Sequence, residues 1–155
     1  MTIRRSRCLL LATLAFANAI WPVGCSPTDP GPPTPTSEGI RIVESTNVGP
    51  SDPFEVLGHA IEGDLLRIEV RYSGGCERHH FEGLVGSAIG ESFPVQMWGR
   101  IAHDDRDDPC DAIVASAISL DLSPIRELYQ SLYGGEAATV ILHFSPIEAP
   151  LQYSF

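Results

Sequence analysis

Residues 66–72 read L-R-I-E-V-R-Y, in which apolar and charged side chains alternate without exception. A period of two is typical of a β-strand with one buried face and one solvated face. Gly74 and Gly75, which follow directly, are a strong turn signal. This stretch therefore predicts a half-buried strand in a domain built mainly from β-sheet.

The remainder of the chain repeats this pattern in short segments separated by turns that contain Gly or Pro. Further strand candidates lie at residues 40–45, 54–61, 80–85, 93–103, 112–122, 139–144 and 151–155. Many short strands of this kind predict an antiparallel β-sandwich or open barrel. A parallel sheet is not expected, because parallel neighbours need long crossovers and the sequence offers only one helix for them.

That single helix is predicted at about residues 123–133. Ser123 suits the N-cap and Pro124 suits the first helical position. An apolar face follows at helical spacing, made of Ile125, Leu128, Tyr129 and Leu132. Gly134 and Gly135 provide the stop signal. We expect this short helix to cover one face of the sheet.

The N-terminus has the features of an export signal. Arg4, Arg5 and Arg7 precede an apolar run at residues 8–17, which is too short to span a bilayer. Residues 1–24 are therefore predicted to be a signal peptide. Cleavage after Ala19 would release a soluble secreted chain, whereas cleavage before Cys25 would leave that cysteine at the mature N-terminus.

Residues 22–25 read P-V-G-C and resemble the lipobox of bacterial lipoproteins, although Pro22 replaces the usual leucine. The resemblance implies that Cys25 is acylated and inserts into a lipid bilayer. Lipidation also leaves Cys76 and Cys110 as an even pair in the exported chain, whereas cleavage after Ala19 leaves an odd number of cysteines. Ser26 would be the second mature residue, and in this family a residue of that type at that position favours localisation to the outer membrane.

Composition divides the mature chain into a tether and a domain. Residues 25–39 are rich in Pro, Thr and Ser and predict an extended spacer, and residues 40–155 are long enough for one β domain. The net charge of −10 becomes −13 when the three arginines of the signal peptide are removed, and the chain contains no lysine. Such an acidic surface repels phosphate backbones, so nucleic acid is not an expected partner.

Two turns gather the reactive side chains. If successive strands form a meander, the turns at residues 73–79 and 103–110 lie at the same edge. The first interpretation is a Cys76–Cys110 disulfide, because exported proteins meet an oxidising environment. The alternative is a metal site, either zinc held by cysteines and histidines or calcium held by the acidic run. The candidate metal ligands are His79, His80, His103, Asp104 and Asp108.

Catalytic motifs are lacking. No serine lies in a G-x-S-x-G turn and no H-E-x-x-H pattern occurs. His103 beside Asp104 could form an oriented base, with Ser73 or Ser92 as a nucleophile, but the sequence favours no catalytic residues and no enzyme. Trp98 lies on the strand face opposite Val95 and Met97, and either covers the helix or makes an exposed contact.

The motif Y-S-G-G-C-E-R-H-H-F at residues 72–81, with D-P-C-D at residues 108–111, resembles uncharacterised secreted or lipidated bacterial domains. The resemblance implies that Cys76 and Cys110 belong to one structural unit and adds no catalytic residue. We therefore expect a membrane-anchored envelope lipoprotein that acts as a binding or structural module for an unknown protein or small ligand. The alternative is a zinc- or calcium-binding envelope protein.

Overall fold

The computed structural model describes residues 31–155, which form eight strands and one helix. The strands are β1 Thr36–Val43, β2 Glu55–Glu62, β3 Leu65–Gly74, β4 His80–Gly90, β5 Val95–Asp104, β6 Ala112–Asp121, β7 Thr139–Ser145 and β8 Leu151–Ser154, and α1 spans Ser123–Tyr133. The signal peptide, the lipobox and the start of the tether lie outside these residues. Within the described part of the chain, no helix is long and apolar enough to cross a bilayer.

The strands form two sheets that enclose one core. The larger sheet has the order β1-β4-β5-β7-β8 and curls into a half-barrel, and the smaller sheet has the order β2-β3-β6. The predicted fold class is confirmed: the domain is mainly β, sandwich-like, and carries one helix. The alternation in β3 is also confirmed, because Leu66, Ile68 and Val70 are fully buried and the charged residues between them are exposed.

The larger sheet is mixed and not wholly antiparallel. β1 pairs with β4 in parallel, and so does β5 with β7. Each parallel pair is connected through the smaller sheet. The chain passes from β1 to β4 through β2 and β3, and from β5 to β7 through β6 and α1. The expectation that one helix was too few for parallel pairing was therefore wrong, because strands of the second sheet serve as crossovers.

The helix has the predicted bounds, but its N-cap lies one residue earlier than predicted. Leu122 is the N-cap and Ser123 is the first helical residue, whose amide donates to the Asp121 carboxylate at 2.9 Å. Ile125 is buried, and Leu128 and Tyr129 pack against the core. Leu132, by contrast, is 58% exposed, so the last turn extends beyond the sheet that the helix covers.

A carboxylate connects the helix to both sheets. Asp64, in the turn between β2 and β3, accepts a hydrogen bond from the Tyr153 hydroxyl at 2.5 Å and pairs with Arg126. The hydrogen bond from Tyr153 and then that from Arg126 lower the pKa of Asp64. Burial, followed by the hydrogen bond to Asp64, raises the pKa of Tyr153 well above its ordinary value. The pair therefore keeps its proton on Tyr153 at neutral pH.

One boundary and the strand connectivity differ from those predicted. β1 begins at Thr36, so the last four residues of the predicted tether belong to the sheet. The strands also do not form a meander: the connections from β3 to β4 and from β5 to β6 pass from one sheet to the other. Both connections nevertheless lie at the same end of the domain, because β3 and β5 both run toward it.

Candidate functional site

The two crossing connections are joined covalently. Cys76 and Cys110 form a disulfide with their Cα atoms 5.8 Å apart. The predicted pairing is present, and it connects the loop after β3 to the loop before β6. We call this end of the domain the disulfide end.

Asp108 organises the loop at the disulfide end. One of its carboxylate oxygens, Oδ2, accepts the backbone amides of Gly75, Cys76 and Glu77 at 2.8–3.1 Å, and the other accepts the amide of Cys110 at 2.9 Å. Successive amides that point at one oxygen form an anion-binding nest. Burial opposes ionisation of this carboxyl, but the amide hydrogen bonds outweigh it and hold the pKa of Asp108 well below its ordinary value.

Two buried histidines continue from Asp108 into the core. His79 Nε2 lies 3.2 Å from Asp108 Oδ2, and His79 Nδ1 lies 2.9 Å from His103 Nε2. His103 Nδ1 in turn lies 3.1 Å from the backbone oxygen of Asp52. The two histidines are 0% and 1% exposed. We call this continuous row of Asp108, His79, His103 and the Asp52 carbonyl the His–Asp chain.

Aromatic rings enclose the two imidazoles. Phe81 stacks on His103 with a centroid separation of 4.2 Å, and Phe54 meets the same ring edge-on. Tyr72 lies 4.4 Å from the His79 ring. Burial lowers the pKa of His103, and burial followed by the nearby Asp108 charge raises the pKa of Tyr72. The cluster is therefore closed to solvent and fixed by both packing and hydrogen bonds.

The five predicted metal ligands do not converge on one point. His80 faces away from the core and its ring nitrogen lies 3.2 Å from the Thr36 hydroxyl. Asp104 accepts the amide of Arg106 at 2.9 Å. Only His79, His103 and Asp108 come together, and their facing nitrogen and oxygen atoms are already within hydrogen-bond distance of one another.

Two other groups in residues 31–155 have ligand atoms close enough to share an ion, and neither contains a histidine. One is Cys76, Asp108 and Cys110, whose sulfurs are joined in the disulfide, so the zinc site with two thiolates is not formed. The other is Asp52, Asp104 and Asp105, whose carboxylates each accept a backbone amide of the same turn. This is the arrangement of a capped acidic turn.

The catalytic alternative is not supported by the geometry at His103. Asp104 does not orient this ring, because the ring nitrogens face His79 and the Asp52 carbonyl. The imidazole is also shielded from any substrate by its burial. We therefore assign the His–Asp chain to the stabilisation of the disulfide end.

A second feature lies at the opposite end of the domain and was missed by the sequence analysis. An open cleft with a volume of about 540 Å³ is lined by Phe93, Pro94, Val95, Tyr129, Ala137, Ala138, Thr139, Ser154 and Phe155. We call it the distal cleft. Phe93 at its rim is completely exposed, and none of the lining side chains is charged at neutral pH. The available signal was a phenylalanine in the turn between two strands, where a polar residue is usual.

Trp98 makes an exposed contact and does not cover the helix. Its indole is 49% exposed on β5 and stacks on His143 of β7, with a centroid separation of 5.4 Å. His143 lies in the sheet, and its Nε2 lies 2.8 Å from the side-chain oxygen of Gln96.

Comparison with known proteins gives no family and only distant structural similarity. The sequence matches no family model and none of the curated proteins. A toxin-related protein from Parabacteroides distasonis superimposes with a TM-score of 0.48 at 21% identity, over 78% of this chain and 60% of that one. A NigD-like immunity protein from Bacteroides caccae gives 0.45 at 12% identity, over 79% and 63%. A protein of unknown function from Bacteroides vulgatus gives 0.44 at 10% identity, over 79% and 56%. The chain thus spans about three fifths of the length of these structures.

Proposed function

We propose that this protein is an envelope lipoprotein that is anchored through acylated Cys25 and acts as a binding module. The observation that carries the proposal is the placement of the chain entry and the distal cleft at opposite ends. The Thr36 amide donates to the His79 carbonyl at 3.0 Å, so the tether joins the domain at the disulfide end. The cleft therefore lies at the end of the domain opposite to the point at which the tether joins it.

The distance between the two ends is set by β5. This strand begins at Val95 in the wall of the cleft and ends at Asp104 beside the disulfide end. Its ten residues of extended strand span about 30 Å. A ligand in the cleft would therefore meet the domain well clear of the lipid surface, while the acidic domain is repelled from anionic headgroups.

The anchor is tested by metabolic labelling with a fatty-acid analogue in a bacterial host. We expect wild-type protein to incorporate the label and Cys25→Ser to lose it, because the lipobox resemblance places the acyl group on the Cys25 thiol. The intact mass of membrane-extracted protein provides the cleavage site in the same experiment. Unlabelled wild type, or label retained by Cys25→Ser, would contradict the lipoprotein assignment.

The chemistry of the cleft indicates the ligand. Its walls provide three aromatic rings, one of them the phenol of Tyr129, together with small apolar side chains and the hydroxyls of Thr139 and Ser154, which bond each other at 2.9 Å. A site with apolar walls and no charged side chain favours an uncharged apolar group. An exposed aromatic such as Phe93 is also typical of residues that contribute most to binding energy. We propose that the cleft receives apolar side chains of a partner protein.

The cleft is tested with the uncharged dye Nile red as a probe of apolar binding. We expect wild type to enhance its fluorescence and Phe93→Ala to weaken the dye affinity by about tenfold, because loss of an aromatic anchor typically costs more than about 1 kcal/mol. Ile113→Ala is the control, since Ile113 is 73% exposed and belongs to β6 at the other end of the domain. Equal affinities in all three proteins would remove the cleft from the proposal.

A further inference from the structure

The His–Asp chain has acceptors at both of its ends. The Asp52 end is a backbone carbonyl, which cannot donate. The Asp108 end is a carboxylate whose two oxygens accept four backbone amides, and this arrangement stabilises the ionised form. Neither end can therefore supply a proton to the histidine next to it.

Each of the three contacts along the His–Asp chain needs one proton on a ring nitrogen. His79 Nε2 must donate to Asp108, His103 Nδ1 must donate to the Asp52 carbonyl, and one of the two facing ring nitrogens must donate to the other. Two neutral imidazoles carry only two ring protons between them. With two protons, one of the three buried contacts would place two acceptors against each other.

From this count we infer that the buried His79–His103 pair holds three ring protons and one positive charge, and that it forms a pH-dependent lock on the disulfide end. The charge belongs on His79, because that ring contacts the Asp108 carboxylate while His103 contacts only a neutral carbonyl. His103 is then neutral, with its proton on Nδ1 and its Nε2 accepting from His79.

The other ionisable groups that face the pair agree with this assignment. Asp108 is the direct counter-ion, and the carboxylates of Asp52 and Asp105 lie on the His103 side and favour its protonated form. Burial and the neighbouring His79 act in the opposite direction and prevail, so the pKa of His103 is lowered. Tyr72, which packs on His79, stays neutral because burial raises its pKa. The surroundings therefore favour the binding of one proton by the neutral His79–His103 pair and disfavour the binding of a second.

This count fixes the sign of the pH dependence. Histidines of the unfolded chain both gain protons as the pH falls below about 6.5 and both lose them above it. The folded pair keeps one proton more than two neutral imidazoles carry, both just above and just below that value. Stability linked to the pair is therefore greatest near about pH 6.5, declines at higher pH because the folded pair then holds one proton more than the unfolded chain, and declines at lower pH because the unfolded chain then holds one proton more than the folded pair.

Ring nitrogen signals of the histidines in a ¹⁵N-labelled soluble domain test the inference directly. At about pH 6.5 we expect three protonated ring nitrogens for His79 and His103 together, with His103 as the Nδ1–H form. Two unprotonated nitrogens in the pair would overturn the inference. Asp108→Asn should lose the third proton at a lower pH than wild type, because the counter-ion is gone.

Thermal unfolding followed between about pH 5 and pH 9 provides a second measurement. The wild-type melting temperature should pass through a maximum near about pH 6.5, and Asp108→Asn should lose the decline on the alkaline side. His80→Gln is the matched control. His80 is the neighbour of His79 in sequence, but its ring contacts the Thr36 hydroxyl and takes no part in the His–Asp chain. A flat wild-type profile, or a His80→Gln profile that changes as that of Asp108→Asn does, would contradict a lock formed by the buried pair.

Discussion

Replacement of Cys76 and Cys110 by serine is expected to lower the free energy of unfolding by about 4 kcal/mol. The disulfide closes a loop with a sequence separation of 34 residues. In the chain-entropy model, a loop of that length restricts the unfolded chain by roughly this amount. Chemical denaturation of the soluble domain, monitored by tryptophan fluorescence, measures the change.

The effect should reach beyond the loop itself. The amides of Cys76 and Cys110 both donate to Asp108, so the bond holds together the two segments that form the nest around this carboxylate. Reduction of the wild type should lower its stability to that of the double variant, while the same reductant should leave the double variant unchanged. A loss below about 1 kcal/mol would mean that packing alone holds the two loops together.

The sequence was informative where one physical pattern dominates. The alternation in β3 predicts its buried face because a strand between core and solvent must alternate. The cysteine pair was predicted because an even number of cysteines in an exported chain is expected to form disulfides. The prediction that the two turns converge was correct, but the meander on which it was based was wrong. The strands cross between the two sheets.

Strand partners could not be predicted, because a period of two identifies the buried face of a strand but not its neighbour. Nothing in β3 or β6 alone indicates that they pair along their whole length in the smaller sheet. The parallel pairs were missed for the same reason.

The roles of the adjacent histidines are a more instructive failure. His79 shares the parity of the buried Phe81, and His80 shares that of the half-exposed Glu82. The alternation of the strand is thus sufficient, from the sequence alone, to distinguish a core histidine from a surface one. Parity could not identify the partner of His79, because Asp108 comes next to it only through the folding of two loops that each connect the two sheets.

Gly74→Ala is the second substitution for which a large effect is expected, a loss of about 3 kcal/mol in the free energy of unfolding. Gly74 has a φ of 152°, a region that residues with a side chain rarely adopt. A Cβ atom there would lie 2.5 Å from His79 Nε2 and 2.8 Å from Asp108 Oδ2. Backbone strain and overpacking each cost roughly 1–3 kcal/mol. Chemical denaturation of the variant and the wild type measures the difference.

The methyl group at position 74 would occupy the space in which the histidine meets its carboxylate, so the variant should also disturb the His–Asp chain. Gly63→Ala separates strain from contact, because Gly63 has a φ of 60° and a Cβ there meets nothing within 4 Å. We expect this control to lose about 1 kcal/mol and to keep the wild-type ring nitrogen signals of His79. If the two variants lose the same stability, the cost at Gly74 arises from backbone conformation alone. The close approach of Gly74 to His79 and Asp108 would then be incidental to the stability of the disulfide end.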